Sequence, residues 1–361
     1  MSHVHDSKHQ TLHHTALDRL FRYAEFLRFG EVHIKYDHTT GLKAIIAVHN
    51  LNRGSGIGGC RLLHYQTADD ALADALRLAY MMSLKAAVSN LSHGGAKAVI
   101  IAPKIIKDRT ALLEVFADFV HSLGGRYVTA VDSGTTPKDM DIIAKRTPYV
   151  TCTTQKGGEG DPAVPTALGV RRAIEAALQF KFNQNSLEGV HVAIQGAGHV
   201  GFHLAKELTQ LKARVTMTDI NAEALSRAVD AWGVATCAPQ DIYHIKADVF
   251  APCALGSILN LKTIKQLKMP IVAGSANNQL AHHHHGILLG ELGILYAPDF
   301  VINAGGLVYA AAMYNHSDPI KAMEQVRLIY DTSLDIFNKA KAMNQTPMEI
   351  AEGIAMARLQ S

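Results

Sequence analysis

"GVHVAIQGAGHVGFHLAKELTQLKARVTMTDIN", residues 189–221, decides the fold. Val190–Gln195 is a short apolar run of the kind that forms a buried strand. Gly196, Gly198 and Gly201 follow in GxGxxG spacing and open an amphipathic helix, expected over 199–211. A second strand, expected over 213–218, ends at Asp219. The three glycines alone are a weak signal. Set between a strand and a helix, with an acid closing the next strand, they become a strong one. Gly196 permits the tight turn, Gly198 lets backbone approach a pyrophosphate, and Gly201 lets the helix pack on the strand. The loop and first helical turn (Gly196, Ala197, Gly198, His199, Val200, Gly201) then present helix N-terminal amides to phosphate. Asp219 can accept hydrogen bonds from both hydroxyls of an adenosine ribose, and its charge repels a 2′-phosphate. Ile220 and Asn221 supply no base to hold such a phosphate. The cofactor expected is therefore NAD; the alternative is a glycine-rich turn with no ligand.

Around this unit the chain of 361 residues divides in two. The expected class is α/β: two domains around a cleft, the first with a mixed sheet, the second a Rossmann NAD-binding domain. Residues 1–150 form the first domain and 151–331 the second, with a helical return of 332–361 to the first. In the first, "EVHIKY" alternates Val32, Ile34 and Tyr36 on one side and turns through "DHTTG" into "LKAIIAVHN", which predicts a hairpin. "TADDALADALRLAYMMSLKAA" predicts a helix with Thr67 and Asp70 as a capping box. A strand over 98–102, a helix over 110–123 and a strand near "RYVTA" follow. "TQKGGEGDPAVP" (154–165) predicts a hinge or cleft loop. Beyond it come a helix over 166–181, the dinucleotide motif, three apolar stretches ("ADVFAPCA", "PIVAGSA", "GILYAPDFVINAGG") and helices over 318–341 and 347–359. Apolar strands running into small residues mark a parallel sheet with functional loops at its carboxyl ends.

Bulk properties exclude several classes. Hydrophobic residues make up 48%, ample for two cores, and 35 basic against 32 acidic residues leave a net charge of only +3, with no long basic run to suit nucleic acid. No apolar run reaches the roughly 18 residues of a membrane span. The polar, His-rich start lacks the apolar core of a signal peptide, so a cytoplasmic protein is expected. Cys60, Cys152, Cys237 and Cys253 are scattered and read as reduced thiols. Twenty histidines include the run His282–His285, but neither His-rich stretch has the spacing of a zinc site, so no metal is expected.

A dinucleotide domain needs a partner that supplies chemistry. Lys85 ends an apolar helix, Lys97 stands between two glycines and a buried strand in "HGGAKAVI", and Asp132 follows "YVTAV". Each alone reads sooner as a structural or solvated charge than as a catalytic group. Together with "GGCR" (58–61), "KAAVSNLSHGGAK" (85–97), "TAVDSGTTPKDMDII" (129–143), "GDPAVPTALGV" (160–170), "FAPCALG", "AGSANNQL" and "APDFVINAGG", they resemble the amino-acid dehydrogenase superfamily, in its leucine/phenylalanine/valine branch. The resemblance runs from about residue 31 to 345 and is greatest to the leucine-acting members.

It implies that Lys97 is the catalytic amine, with a pKa lowered by burial beside Lys85. Lys85 would hold the substrate carboxylate, and Asp132 would exchange a proton with the amine. Gly58 and Gly59 would let backbone crowd the substrate. The resemblance places Thr166 and Asn277 (or its neighbour Asn278) near the nicotinamide and Ala254 near the adenosine. Ile57 stands where glutamate-type relatives carry a lysine, so an apolar side chain is expected to fill the pocket, with Ala130, Leu307 and Ala310. The implied activity is reversible NAD-dependent oxidative deamination of leucine, isoleucine or valine to the 2-oxo acid and ammonia, in a homo-oligomer between dimer and octamer. The alternatives are a phenylalanine enzyme of the same family and a silent NAD-binding subunit. Where the leucine-acting members tend to have three glycines before the lysine, this chain has Ala96, and His93 stays unexplained.

Overall fold

A computed structural model describes residues 21, 22, 24–154, 161–254 and 256–360. The His-rich start and residues 155–160 of the expected hinge lie outside the described residues. The chain forms two compact units. The first runs to Ala87 and takes in Leu91–Asp161 and Leu359–Ser361; the second comprises Val88–Asn90 and Pro162–Arg358.

In the first unit, β1 (Glu31–Tyr36) and β2 (Lys43–Asn50) are the expected antiparallel hairpin. Asp37 closes its turn, Oδ2 accepting from the Thr40 N–H at 2.8 Å. Then come β3 (Gly56–Leu63), α1 (Ala68–Val88), β4 (Gly94–Ile101), α2 (Arg109–Ser122), β5 (Tyr127–Val131) and α3 (Pro137–Ala144). Thr67 and Asp70 cap α1 reciprocally, each side chain accepting from the other's N–H at 3.1 Å. The sheet order is β1-β2-β4-β3-β5, with β3 parallel to β4 and β5 and the other pairs antiparallel. The mixed sheet is as expected.

Period-two alternation splits this sheet into two buried faces. Ala44, Ile46, Cys60, Ala98 and Ile100 pack with Leu112, Phe116 and Val120 of α2 and Met140 and Ile143 of α3. Ile45, Ala47 and Val99 pack against Ala71, Ala75, Leu76 and Ala79 of α1. The alanines bring that helix close. At Gly95 it touches backbone: a Cβ there would stand 2.1 Å from the Ser83 nitrogen. Lys97 lies two residues from both Gly95 and Val99, so it shares the α1 face. β4 begins earlier than the expected 98–102 because Gly94 and Gly95 already pair with Gly56 and Ile57, and Lys97 with Ala47.

The second unit opens with α4 (Ala163–Phe182) and continues β6 (His191–Gln195), α5 (His199–Gln210), β7 (Arg214–Thr218), α6 (Ala222–Trp232), β8 (Ala235–Thr236) and β9 (Val249–Pro252). After α7 (Leu261–Ile264) come β10 (Ile271–Val272), α8 (His284–Glu291), β11 (Leu295–Tyr296), α9 (Asp299–Ile302) and α10 (Gly305–Tyr314). All six strands are parallel in the order β11-β10-β9-β6-β7-β8. That is the doubly wound order, with its switch point between β6 and β9.

Two expectations need correction. The single helix over 318–341 is two, α11 (Pro319–Arg327) and α12 (Ile329–Met343). Between them the Leu328 N–H bonds only three residues back, to Gln325. The return of 332–361 to the first domain is also limited to Leu359–Ser361. α12 is held in the second unit by packing on α4, where the rings of Phe180 and Phe337 lie 5.6 Å apart. The last helix, α13 (Pro347–Gln360), stays with that unit through Arg358.

Gly95→Ala tests the close approach of α1 to β4. Forcing a methyl against backbone should cost about 3 kcal/mol in urea unfolding. Gly290→Ala in α8, where an added Cβ meets nothing within 4 Å, should not destabilise. Equal stability of the two variants would refute the packing described.

Candidate active site

In the first unit, alternation aligns Ile57, Gly59 and Arg61 on β3 with Gly95 and Lys97 on β4 and Val128 and Ala130 on β5. Asp132 follows directly after β5. Its Oδ2 lies 3.0 Å from the Lys97 Nζ and 2.8 Å from the Arg61 Nε. Lys97 is only 5% exposed, while Asp132 and Arg61 are half-buried at the edge of the cluster. Burial pushes the Asp132 carboxyl up, but the charges of Lys97 and Arg61 outweigh it and hold the group down to about 2. Its backbone is fixed as well, the N–H donating to the Thr135 Oγ1 at 3.0 Å. Lys85, 9% exposed, lies in the last turn of α1, two residues beyond the Ser83 that abuts Gly95. Ser83 is anchored in turn by His49, whose Nδ1 stands 2.8 Å from its Oγ.

The glycines have a packing role as well. A Cβ at Gly58 would fall 1.8 Å from the Ala96 carbonyl oxygen, and one at Gly59 would fall 2.6 Å from the Asp132 Cβ. Both residues are therefore required by the sheet's own packing, and Gly59 makes the room that Asp132 occupies. Ile57 has no exposed surface, and Ala130 is 7% exposed. His93 is buried, its Nδ1 3.3 Å from the Ser55 carbonyl, which gives it a structural place beside Gly94.

In the second unit, Gly196 has φ +110°, and a Cβ there would meet the Ala254 nitrogen at 2.9 Å, so the loops after β6 and β9 touch at the switch point. At Gly201 a Cβ would lie 2.0 Å from the Gly196 oxygen, which holds the helix to the turn. Gly198, by contrast, has open space above it and is the N-cap of α5, with no side chain capping that end. A helix N-terminus with no side chain capping it is the kind of end that meets an anion. Asp219 braces the loop: its Oδ2 accepts from the Ala197 N–H at 2.6 Å and its Oδ1 from the Asn221 N–H at 2.7 Å. Each carboxylate oxygen keeps a second lone pair for a ribose hydroxyl. Ile220 beside it is 93% exposed, an apolar surface suited to an adenine face. An open glycine at a helix start and a fixed acid on the neighbouring strand fit a dinucleotide.

Thr166 donates to the Pro162 oxygen at 2.7 Å and lies against Gly306, where a Cβ would stand 2.6 Å from its Oγ1. Asn277 is exposed, and its Oδ1 accepts from the Asn303 Nδ2 at 2.9 Å. Leu307 and Ala310 are buried one turn apart on α10. The expected pocket residues are thus divided: Ile57, Gly58, Gly59 and Ala130 belong to the first unit, and Asn277, Leu307 and Ala310 to the second. Burial pushes the Cys253 thiol up, which suits packing and not nucleophilic attack. Among the described residues no group of three His, Cys, Asp or Glu is arranged to hold a metal.

Sequence reasoning missed Arg61, Asp74, Tyr65 and Asn303. For Arg61 the signal was present: a charge inside the apolar strand "GIGGCRLL" needs a buried carboxylate.

Comparison with known proteins agrees with this geometry. Residues 28–149 match the family model described as Glu/Leu/Phe/Val dehydrogenase, dimerisation domain. Residues 157–227 and 218–325 match that described as Glutamate/Leucine/Phenylalanine/Valine dehydrogenase. The chain is 43% identical to leucine dehydrogenase of Geobacillus stearothermophilus over 343 residues, 95% of this chain and 94% of that protein. It is 40% identical to phenylalanine dehydrogenase of Caldalkalibacillus thermarum, covering 90% of this chain and 89% of that one. The crystal structure of L-tryptophan dehydrogenase from Nostoc punctiforme superposes with a TM-score of 0.79 at 38% identity, over 94% of this chain and 98% of that one. The chain belongs to the Glu/Leu/Phe/Val dehydrogenase family and is an amino-acid dehydrogenase.

The charge pair sets a pH dependence of stability. With the folded pKa of Asp132 depressed to about 2, against about 3.9 unfolded, its contribution is complete above pH ~4 and is lost as pH falls through ~2. Urea unfolding of wild type should therefore weaken between pH 5 and pH 3 more than that of Asp132→Asn. Parallel losses in the two proteins would contradict the depressed carboxyl.

Proposed function

We propose that the protein catalyses the reversible NAD-dependent oxidative deamination of branched-chain L-amino acids, giving the 2-oxo acid and ammonia. The observation that carries this is the pairing of buried Lys97 with half-buried Asp132, at 3.0 Å on one face of the first unit's sheet. Lys85 holds the substrate α-carboxylate as a point charge. Asp132 exchanges a proton with the substrate amine. When bound, the nicotinamide accepts hydride from the substrate Cα, leaving an iminium. Lys97 then takes a proton from water, which adds to the iminium carbon. Lys97 returns that proton to nitrogen, the C–N bond breaks with release of ammonia, and the hydroxyl gives its own proton back to Lys97 as the carbonyl of the 2-oxo acid forms. An Asp132 carboxyl held at about 2 is by itself a poor base. Once Lys97 has lost its proton, one of the two charges that depress Asp132 is gone, and the carboxylate becomes more basic at the step that needs it.

The dinucleotide is held by Gly196, Ala197, Gly198, His199, Val200 and Gly201 through backbone and helix terminus, by Asp219 and Ile220 at the adenosine, with Ala254 beside Gly196. Thr166 and Asn277 serve the nicotinamide end. Asp219, followed by an isoleucine and an asparagine, supports NAD over NADP. An apolar substrate side chain is supported by Ile57, Ala130, Leu307 and Ala310, none of which can pair a second carboxylate. The leucine and phenylalanine relatives support the same class. Assembly as a homo-oligomer through the first unit is supported by the family model's dimerisation domain and by β1, an edge strand that leaves Ile34 and Tyr36 exposed. A cytoplasmic setting suits an enzyme that draws on free NAD and amino acids.

Two measurements test this. NADH formation should give kcat/KM for L-leucine above L-phenylalanine and far above L-glutamate. Misfit of a methylene or two costs about 1–3 kcal/mol, an unpaired buried carboxylate several. Preference for phenylalanine would move the assignment within the family; preference for glutamate would overturn it. Lys97→Ala should lose turnover in both directions while NAD still binds, and near-wild-type rates would remove Lys97 from the chemistry.

A further inference from the structure

We propose that Arg61 is a positioning residue for Asp132: it fixes the carboxylate through Oδ2 and leaves Oδ1 to meet and exchange a proton with the substrate amine. The inference rests on the deaminase reading of the Lys97–Asp132 pair. Both cations share one oxygen, the Arg61 Nε at 2.8 Å and the Lys97 Nζ at 3.0 Å from Oδ2. The opposite oxygen, Oδ1, accepts no hydrogen bond from the described residues. Arg61 reaches in the other direction too. Its Nη1 lies 2.9 Å from the Oδ2 of Asp74 on α1. That same oxygen accepts from the Tyr65 hydroxyl at 2.8 Å, and the Asp74 Oδ1 accepts from the Arg77 Nη2 at 3.0 Å. The result is an alternating series: Lys97, Asp132, Arg61, Asp74, Arg77. It ties the site to α1, the helix whose last turn carries Lys85.

A guanidinium suits this place where an ammonium does not. Its planar fork joins two carboxylates at once and stays charged at every pH that matters. Lys97 must lose its proton during turnover, so it cannot hold Asp132 in place throughout. Arg61 can. Asp74 is kept ionised for the purpose: burial pushes its carboxyl up, but the Tyr65 hydroxyl and Arg61 outweigh that and lower it. Few other ionisable groups face Asp132. Cys60, beneath it on β3, is a thiol that burial keeps neutral, and beyond it Arg109 and Asp139 neutralise one another at 2.8 Å.

The test compares wild type, Arg61→Met, Arg61→Lys and the mild variant Tyr65→Phe, with circular dichroism to confirm folding. In wild type, the carboxyl resonance of 13C-labelled Asp132, assigned through Asp132→Asn, should not titrate down to the acid limit of the fold. In Arg61→Met it should titrate at least one pH unit higher, and in Tyr65→Phe it should move less in the same direction. The acid limb of kcat/KM for leucine should rise with it, while the KM for NAD holds. Arg61→Lys should restore the charge effect but only part of kcat. The double variant Arg61→Met/Asp132→Asn should be no slower than Asp132→Asn alone, because Arg61 acts through Asp132. An unmoved resonance, or losses that multiply in the double variant, would overturn the proposal. The resonance is read without substrate. A shifted resonance in a protein inert to leucine would therefore leave Arg61 in place as the setter of Asp132's charge and refute the deaminase reading alone.

Discussion

Backbone meets backbone where no side chain would fit, and the chemistry of the first unit depends on that. Gly58 against the Ala96 carbonyl, Gly59 against Asp132 and Gly95 against the Ser83 nitrogen draw β3, β4, β5 and α1 together. Glycine in a strand costs stability, roughly 0.5–1 kcal/mol relative to alanine at each position. Here that loss is offset by contacts available in no other way. The closer the backbones lie, the less side-chain length is needed to join charges across them. Lys97 on β4 and Arg61 on β3 thus both converge on a single oxygen of Asp132.

Such a cluster is costly to bury. Each charge loses hydration, and only alternation of sign recovers it. The series from Lys97 to Arg77 provides that alternation and terminates at the more exposed Arg77, where water takes over. The same arrangement favours the ionised form of Asp132. In the second unit the problem is reversed. There the fold leaves an opening, at Gly198 and the start of α5, and uses Asp219 to stiffen its rim.

Much of this was legible in the sequence. The strand–GxGxxG–helix–strand–Asp run forms β6, α5 and β7 with the acid in place, because each element is specified by local periodicity and by steric demands that only glycine meets. The β1–β2 hairpin and the α1 cap were local signals as well. Where meaning lay in contacts distant along the chain, the sequence was silent. That Asp132 and Arg61 meet across 71 positions cannot be read from either segment. Nor can the packing demand at Gly58, where the Ala96 carbonyl of the neighbouring strand leaves no space for a side chain. The break at Leu328 was hidden by continuous helical periodicity on both sides of it. The place of α12 was decided by Phe180 and Phe337, whose contact no pattern announces.

In the proposed reaction a lysine and a carboxylate, brought together by glycines, run a deamination on an apolar amino acid whose hydride goes to NAD. Product balance tests it most directly. With L-leucine and NAD, the protein should release NADH, ammonia and the 2-oxo acid in equal amounts, and the reverse mixture should consume all three in the same ratio. NADH formed without ammonia, or no turnover with any apolar amino acid, would contradict the account.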